Sequence, residues 1–185
     1  MFISLLEYWK KIYMSVLVYS VPNFLNYKFK ILELIHNIPE TPFENISHSD
    51  WDITKNMKRN YQSYIQKNIF KGFAEHLRTT NKFKEVTINS MWFQVYKQGD
   101  FHFKHTHPQC HFTNIFFIQL PNNEVKTMIR TPEKNLSQLQ FKEGDIITFP
   151  SYYEHESPIN NSGKDKVIVS FNFDVLYYDN LQEIK

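Results

Sequence analysis

Four of the chain's eight histidines, His102, His105, His107 and His111, fall within ten consecutive positions. Neutral imidazole is a common ligand for divalent transition metals, so a run of histidines on one element can build one face of a metal site. In the segment HFKHTHP, strand geometry sorts the run. Residues two apart share a face, so His105 and His107 point the same way. Phe101 and Phe103 fall on that face and are expected to form a dry wall beneath the pair, with His102 and Lys104 turned away. A mononuclear site needs a third donor from elsewhere. His155 is the candidate, because it follows the apolar run GDIITF and a short turn begun at Pro150, where a rigid strand end would present it. Three imidazoles with no thiolate suit Fe, Cu, Ni or Zn and argue against Mg or Ca. His36, His48 and His76 lack any such pattern and read as polar surface groups. His102 and His111 are candidates to hydrogen-bond to the site or to wall it.

The elements that must position these groups follow from periodicity. From Phe83 onward the chain is a series of short β-like runs: EVTIN, MWFQVY, HFKHTH, TNIFFIQL, VKTMI, LQF, DIITF and KVIVSFNFDV. Turn signals QGD, PNN, EGD and NNSG separate them. Many short strands at this spacing predict a sandwich, jelly roll or barrel. Upstream the pattern is helical. Pro22 opens a run through Phe24, Tyr27, Ile31, Leu34, Ile35 and Ile38, which Pro39 and Pro42 end. A second run takes in Tyr61, Tyr64, Ile65, Ile69, Phe73 and His76 or Leu77, with an irregular stretch, 44–60, between the two. Ser15 to Tyr19 alternates weakly, as a strand does. Leu5, Leu6, Trp9, Ile12 and Tyr13 mark a further amphipathic helix at the start. The expectation is one mainly β domain over 1–185. Residues 1–80 form a mostly helical flank, and 81–178 form the core that carries the metal site.

Composition narrows the partners. Lys and Arg total 21 against 19 Asp and Glu, a net charge of +2 that gives no broad case for nucleic acid. The single cysteine, Cys110, excludes an intrachain disulfide framework and a Cys-rich zinc site, and it fits a reducing, cytoplasmic setting. Glu7, Lys10 and Lys11 break the apolar N-terminus well short of the about 20 residues a membrane span needs, so no membrane partner is expected. A monomer or homodimer is expected.

The stretches WFQVYKQGDFHFKHTHP, FTNIFFIQLP and EGDIITFPSYYEHESPINNSGKDKVIVSFN, with SDWDI upstream, together resemble the phage and marine-bacterial branch of the 2-oxoglutarate/Fe(II)-dependent oxygenases. The resemblance spans roughly Ser49 to Asp174. It implies a double-stranded β-helix, a jelly roll flanked by helices, that holds Fe(II) and uses 2-oxoglutarate and O2 to hydroxylate an unknown primary substrate, a protein side chain such as a prolyl residue or a small molecule. For a phage-encoded enzyme the site of action would be the host cytoplasm. The family's iron face is His-x-Asp or His-x-Glu plus a distal His. Carried over, His105 takes the first position, His107 the second and His155 the third, so an imidazole stands where a carboxylate usually binds. The family also places a cation on the last core strand to meet the far carboxylate of 2-oxoglutarate. Lys166, eleven residues after His155, fits that place, with Lys164 and Arg130 as fallbacks. Ser170 and Asn172 share its strand face. Tyr96, Trp92 and Gln94 on a neighbouring strand, and Thr113 and Asn114 after the metal strand, are further candidates to touch the co-substrate.

Two other ligand sets stay open from the sequence. His107 could stand behind the metal with water in its place, or Asp100 could pair with His102. Two other functions also stay open: a three-His cupin-type metalloenzyme that makes no use of 2-oxoglutarate, and a non-catalytic jelly-roll binding module.

Overall fold

A computed structural model of the chain describes residues 16–39, 42–43, 46–51, 57–81, 83–122, 125–131 and 140–177. The amphipathic helix expected before Tyr13 lies outside the described residues. Two antiparallel sheets carry the fold. The strands are β1 (Leu17–Ser20), β2 (Pro42–Phe43), β3 (Ser47–Ser49), β4 (Phe83–Tyr96), β5 (His102–His105), β6 (Phe112–Gln119), β7 (Met128–Arg130), β8 (Asp145–Pro150), β9 (Glu154–Ser157) and β10 (Lys166–Tyr177). The larger sheet runs β1-β8-β6-β10-β4-β3-β2 and the smaller β5-β9-β7. The architecture is a double-stranded β-helix, or jelly roll, with helices on one face. EVTIN and MWFQVY form one continuous strand, β4, and of LQF the described Gln140 and Phe141 lie outside the strands. The first eighty residues are less purely helical than their periodicity suggests: β1, β2 and β3 come from them and extend the larger sheet at both ends.

Alternation along the long central strands decides which side chains face the site. On β10, Val167, Val169, Phe171 and Phe173 join the core beneath the helices, while Ile168 joins the core facing the smaller sheet. β4 divides the same way, with Phe93 and Val95 toward the helices and Tyr96 toward the smaller sheet. The helices are α1 (Leu25–His36), α2 (Asn60–Ile65) and α3 (Lys71–Asn81), the last two joined by a π-helical turn over Gln66–Phe70. Tyr61, Ile65, Ile69, Phe73 and Leu77, all essentially buried, repeat strictly every four residues. A regular α-helix drifts by about 40° at each such step. The wider π turn takes up that drift and keeps the five on one face. Phe73 then meets Phe171 edge-on at 5.6 Å, riveting the helices to the sheet behind the site. The EGD turn needs its glycine. Gly144 lies at φ +86, and a Cβ there would come within 2.7 Å of Phe24.

Candidate metal centre

β5 and β9 are hydrogen-bonded neighbours in the smaller sheet, and His105 pairs directly with His155. His107 lies two residues beyond β5's last paired position, where its N–H donates to Ser151 O at 3.0 Å and fixes the segment beside the β8–β9 turn. The three imidazoles therefore come from adjacent strand ends, and one ring nitrogen from each lies within 4.8 Å of the others. His107 Nε2 is 3.2 Å from His155 Nε2. Two nitrogens bound about 2.1 Å from one ion at right angles would be about 3 Å apart, so this spacing suits cis ligands.

Hydrogen bonds set the tautomers. His105 Nδ1 is 2.7 Å from Phe103 O, and His155 Nδ1 is 3.1 Å from Tyr153 O. A carbonyl can only accept, so both Nδ1 atoms carry hydrogen and both Nε2 lone pairs remain free for an ion. Burial pushes the pKa of His105 down, His107 down to about 4, and His155, packed edge-on against Phe149, well below the ordinary range. Neutral imidazoles at pH 7 are the ligating form. Donor set, tautomers and spacing all fit a divalent transition metal.

The three histidines line a cavity that Ser157 and Thr127 also line, and behind these two lies Lys166. It opens β10 fully buried, its Nζ donating to Ser157 Oγ at 2.7 Å and to Thr127 Oγ1 at 3.4 Å, and lying 5.0 Å from the centre of the Tyr96 ring. Burial lowers its pKa from 10.5 to about 7. Two hydroxyls and a ring face are weak company for a buried ammonium, which ordinarily requires an anion. Among the described residues no carboxylate makes a salt bridge with Lys166. Trp92, Gln94, Tyr96 and Ser170 line the cavity between it and the histidines, and Asn172 lines the cleft outside. Lys164 is exposed, and Arg130 is spent on Glu156 at 3.7 Å, so neither fallback cation reaches the cavity.

Several placements depart from regular-strand expectation. The β5–β9 register slips between His102 and His105, and this irregularity turns His102 inward. Its ring stacks on that of His105 at 4.1 Å, and its Nδ1 contacts Gln94 Nε2 at 3.2 Å. Phe103, expected beneath the metal, is exposed instead. Asn114 also departs from its expected role. It faces away from the cavity, donating to Phe171 O and accepting from Thr148 Oγ1, because positions 113, 115 and 117 of β6 take the inner face. Thr113 is turned inward and donates to Asn172 Oδ1 at 3.1 Å. Asp100 accepts from the Lys97 N–H and so closes a turn. His111 accepts from the Val175 N–H, pinned beside Asp174. Ser157 and Thr127, the hydroxyls that hold Lys166, carry no motif in the sequence. Parity with His155 on β9 was the one signal for Ser157.

The geometry defines a jelly roll with a preformed trio of metal-ligating imidazoles between its sheets. No family model and no curated protein matches the sequence. Solved structures do match. An oxidoreductase of the 2OG-Fe(II) oxygenase family from Burkholderia pseudomallei superposes with a TM-score of 0.68 at 10% identity, over 92% of this chain and 90% of that one. The viral collagen prolyl hydroxylase of Paramecium bursaria Chlorella virus-1, solved with 2-oxoglutarate, gives 0.57 at 14% identity, over 88% and 96%. HygX from Streptomyces hygroscopicus, solved with nickel and 2-oxoglutarate, gives 0.63 at 7% identity, over 93% and 87%. The chain has the fold of the 2-oxoglutarate- and Fe(II)-dependent oxygenases.

Proposed function

We propose that this protein is a non-haem Fe(II) oxygenase that uses 2-oxoglutarate and O2 to hydroxylate a protein side chain, such as a prolyl residue, or a small molecule. One observation carries the reading: three converging imidazoles line a cavity of this fold whose Ser157 and Thr127 hold a fully buried lysine. His105, His107 and His155 would hold the iron on one face. The bound metal supplies the oxidising chemistry that couples decarboxylation of 2-oxoglutarate to hydroxylation.

The remaining roles belong to the chain. Lys166 would take the far carboxylate of 2-oxoglutarate, giving its ammonium the anion it otherwise lacks, with Ser157 and Thr127 holding Nζ in place. Tyr96 and Ser170 would wall the co-substrate, and Asn172 would face the substrate side. His107 in place of a carboxylate leaves the face one unit more positive, which favours a dianionic co-substrate. Buried Tyr96, Phe117 and Phe149 of the larger sheet, with Ile129 of the smaller, keep bulk water from the cavity.

The test is an anaerobic titration of the ferrous protein with 2-oxoglutarate. The expected result is a weak visible metal-to-ligand charge-transfer band that saturates and is lost in His105→Ala and His155→Ala. No band at saturating co-substrate would reject the assignment. The missing carboxylate favours a second reading, a three-His metalloenzyme that binds no 2-oxoglutarate. Under that reading Lys166→Ala changes neither metal binding nor activity.

A further inference from the structure

Outside the three imidazoles lies a cleft of about 420 Å³ whose lining includes Trp51, Trp92, Gln94, Gln109 and Asn172, with His105 and His107 at its floor. Its lining contains no Asp, Glu, Lys or Arg among the described residues. Its wall is built around an exposed indole. Trp51 is 48% exposed and stands edge-on to Trp92 at 4.5 Å, and Trp92 in turn lies 5.5 Å from the His107 ring.

An exposed tryptophan on a loose loop would signify little, but this one is anchored. The Trp51 N–H donates to Ser49 Oγ, whose hydroxyl donates to Phe93 O. Next to it, the Asp50 carboxylate is fully buried. It accepts from Tyr61 Oη at 2.6 Å and the Phe93 N–H at 2.9 Å, and pairs with Arg59 Nε at 3.0 Å. A buried charged network thus fixes the backbone that carries a solvent-facing indole. On the opposite wall Gln109 sits at φ +71, in the left-handed region that a non-glycine residue seldom adopts. The cleft is a rigid aromatic wall with primary amides around it and, among the described residues, no carboxylate, ammonium or guanidinium.

We propose that this cleft seats the primary substrate, and that the group it takes is uncharged and rich in C–H: an aliphatic ring or branched chain lying on Trp51, with amide or hydroxyl groups within reach of Gln94, Gln109 and Asn172. A charged group brought here would lose its hydration and find no Asp, Glu, Lys or Arg among the described lining residues, whereas an aliphatic face gains contact with the indole at little ordering cost, because the ring is already held. The identification of the occupant as substrate rests on the oxygenase reading. The existence and selectivity of the cleft do not.

The test uses the metal-free full chain and reads tryptophan fluorescence. N-acetyl-proline methylamide and N-acetyl-leucine methylamide are titrated beside the matching lysine and glutamate compounds. The neutral probes should give a saturable change that Trp51→Ala abolishes and Trp51→Phe largely keeps, and the charged probes should bind at least tenfold more weakly. Charged probes binding as tightly as neutral ones, neutral probes binding equally to Trp51→Ala, or no saturable change with either neutral probe would each overturn the proposal. Nickel and 2-oxoglutarate binding, measured separately, distinguishes the two readings. Their absence from the wild type, with Trp51-dependent probe binding intact, removes the oxygenase assignment and leaves the cleft.

Discussion

Replacing Lys166 with methionine should make the protein more stable and less able to bind its co-substrate. The fully buried ammonium, with only Ser157, Thr127 and a ring face around it, has its pKa lowered from 10.5 to about 7. At 1.36 kcal/mol per pKa unit, keeping that charge inside the folded chain costs roughly 5 kcal/mol below pH 7, where both folded and unfolded chains carry the proton. Between pH 7 and 10.5 the folded chain sheds the proton before the unfolded one does, and the cost shrinks to nothing. Methionine removes the charge, but it also leaves the Ser157 hydroxyl without its partner, a loss of about 1–3 kcal/mol. The net gain at pH 7 is therefore about 2–4 kcal/mol, or about 5–12 °C in Tm for a chain of this size. The difference should fall as pH rises and reverse between about pH 8 and 10, where the remaining cost of the charge drops below the loss at Ser157. The assays are urea unfolding of metal-free wild type and Lys166→Met across pH 6–10, and calorimetric titration of the nickel-loaded proteins with 2-oxoglutarate. The variant should bind at least tenfold more weakly, since a charge-assisted hydrogen bond is lost. A variant less stable than wild type at pH 7 would refute the argument from buried charge. An affinity within about threefold of wild type would refute the role in co-substrate binding.

The histidines predict a pH dependence of the same sign, at lower pH. Burial lowers the pKa of His102 and His107 to about 4 and that of His155 further below its ordinary range. The folded chain therefore refuses protons that the unfolded chain takes up, and the metal-free protein should lose stability as pH falls from about 6.5 to 4, by up to about 1.4 kcal/mol per pH unit for each proton refused. Urea midpoints at pH 7, 6, 5 and 4.5 check this, and a flat profile would contradict neutral burial of the imidazoles. His107→Asp should still bind one metal but weaken 2-oxoglutarate roughly tenfold through the lost positive charge, and nickel-loaded calorimetry reads it; an unchanged affinity would show that the charge of the face is immaterial. Asn114→Ala should cost about 1–3 kcal/mol in urea unfolding through its two buried hydrogen bonds, with 2-oxoglutarate affinity unchanged. A loss of affinity there would return Asn114 to the site.

What the sequence made legible was whatever strict alternation governs. Parity on KVIVSFNFDV put Lys166, Ile168 and Ser170 on the inner face, and parity on MWFQVY did the same for Trp92, Gln94 and Tyr96, because both strands are long and paired on both sides. His155 was recoverable from its place after an apolar strand. His102 and Phe103 were not, because a slip in the β5–β9 register brings His102 onto the same side as His105, and nothing in HFKH announces a slip. Asn114 failed for a related reason. Thr113 and Asn114 were both candidates, neighbours on a strand point to opposite faces, and nothing in TNIFFIQL says which of the two faces the site. The hydroxyls around Lys166 come from β9 and from Thr127 just before β7, which approach it only through the closure of the sheets. The anchoring of Trp51 likewise depends on Tyr61 and Phe93, ten and forty-two positions away.

The central claim is that three imidazoles from two adjacent strand ends form one iron face, His107 among them. X-ray absorption at the iron edge of the anaerobic ferrous protein, with metal content measured on the same sample, tests it most directly. The account predicts one iron per chain with three imidazole ligands, falling to two in His107→Ala and to no stable binding in His155→Ala. Two imidazoles in the wild type with no change in His107→Ala, or iron held equally well after His155→Ala, would contradict it.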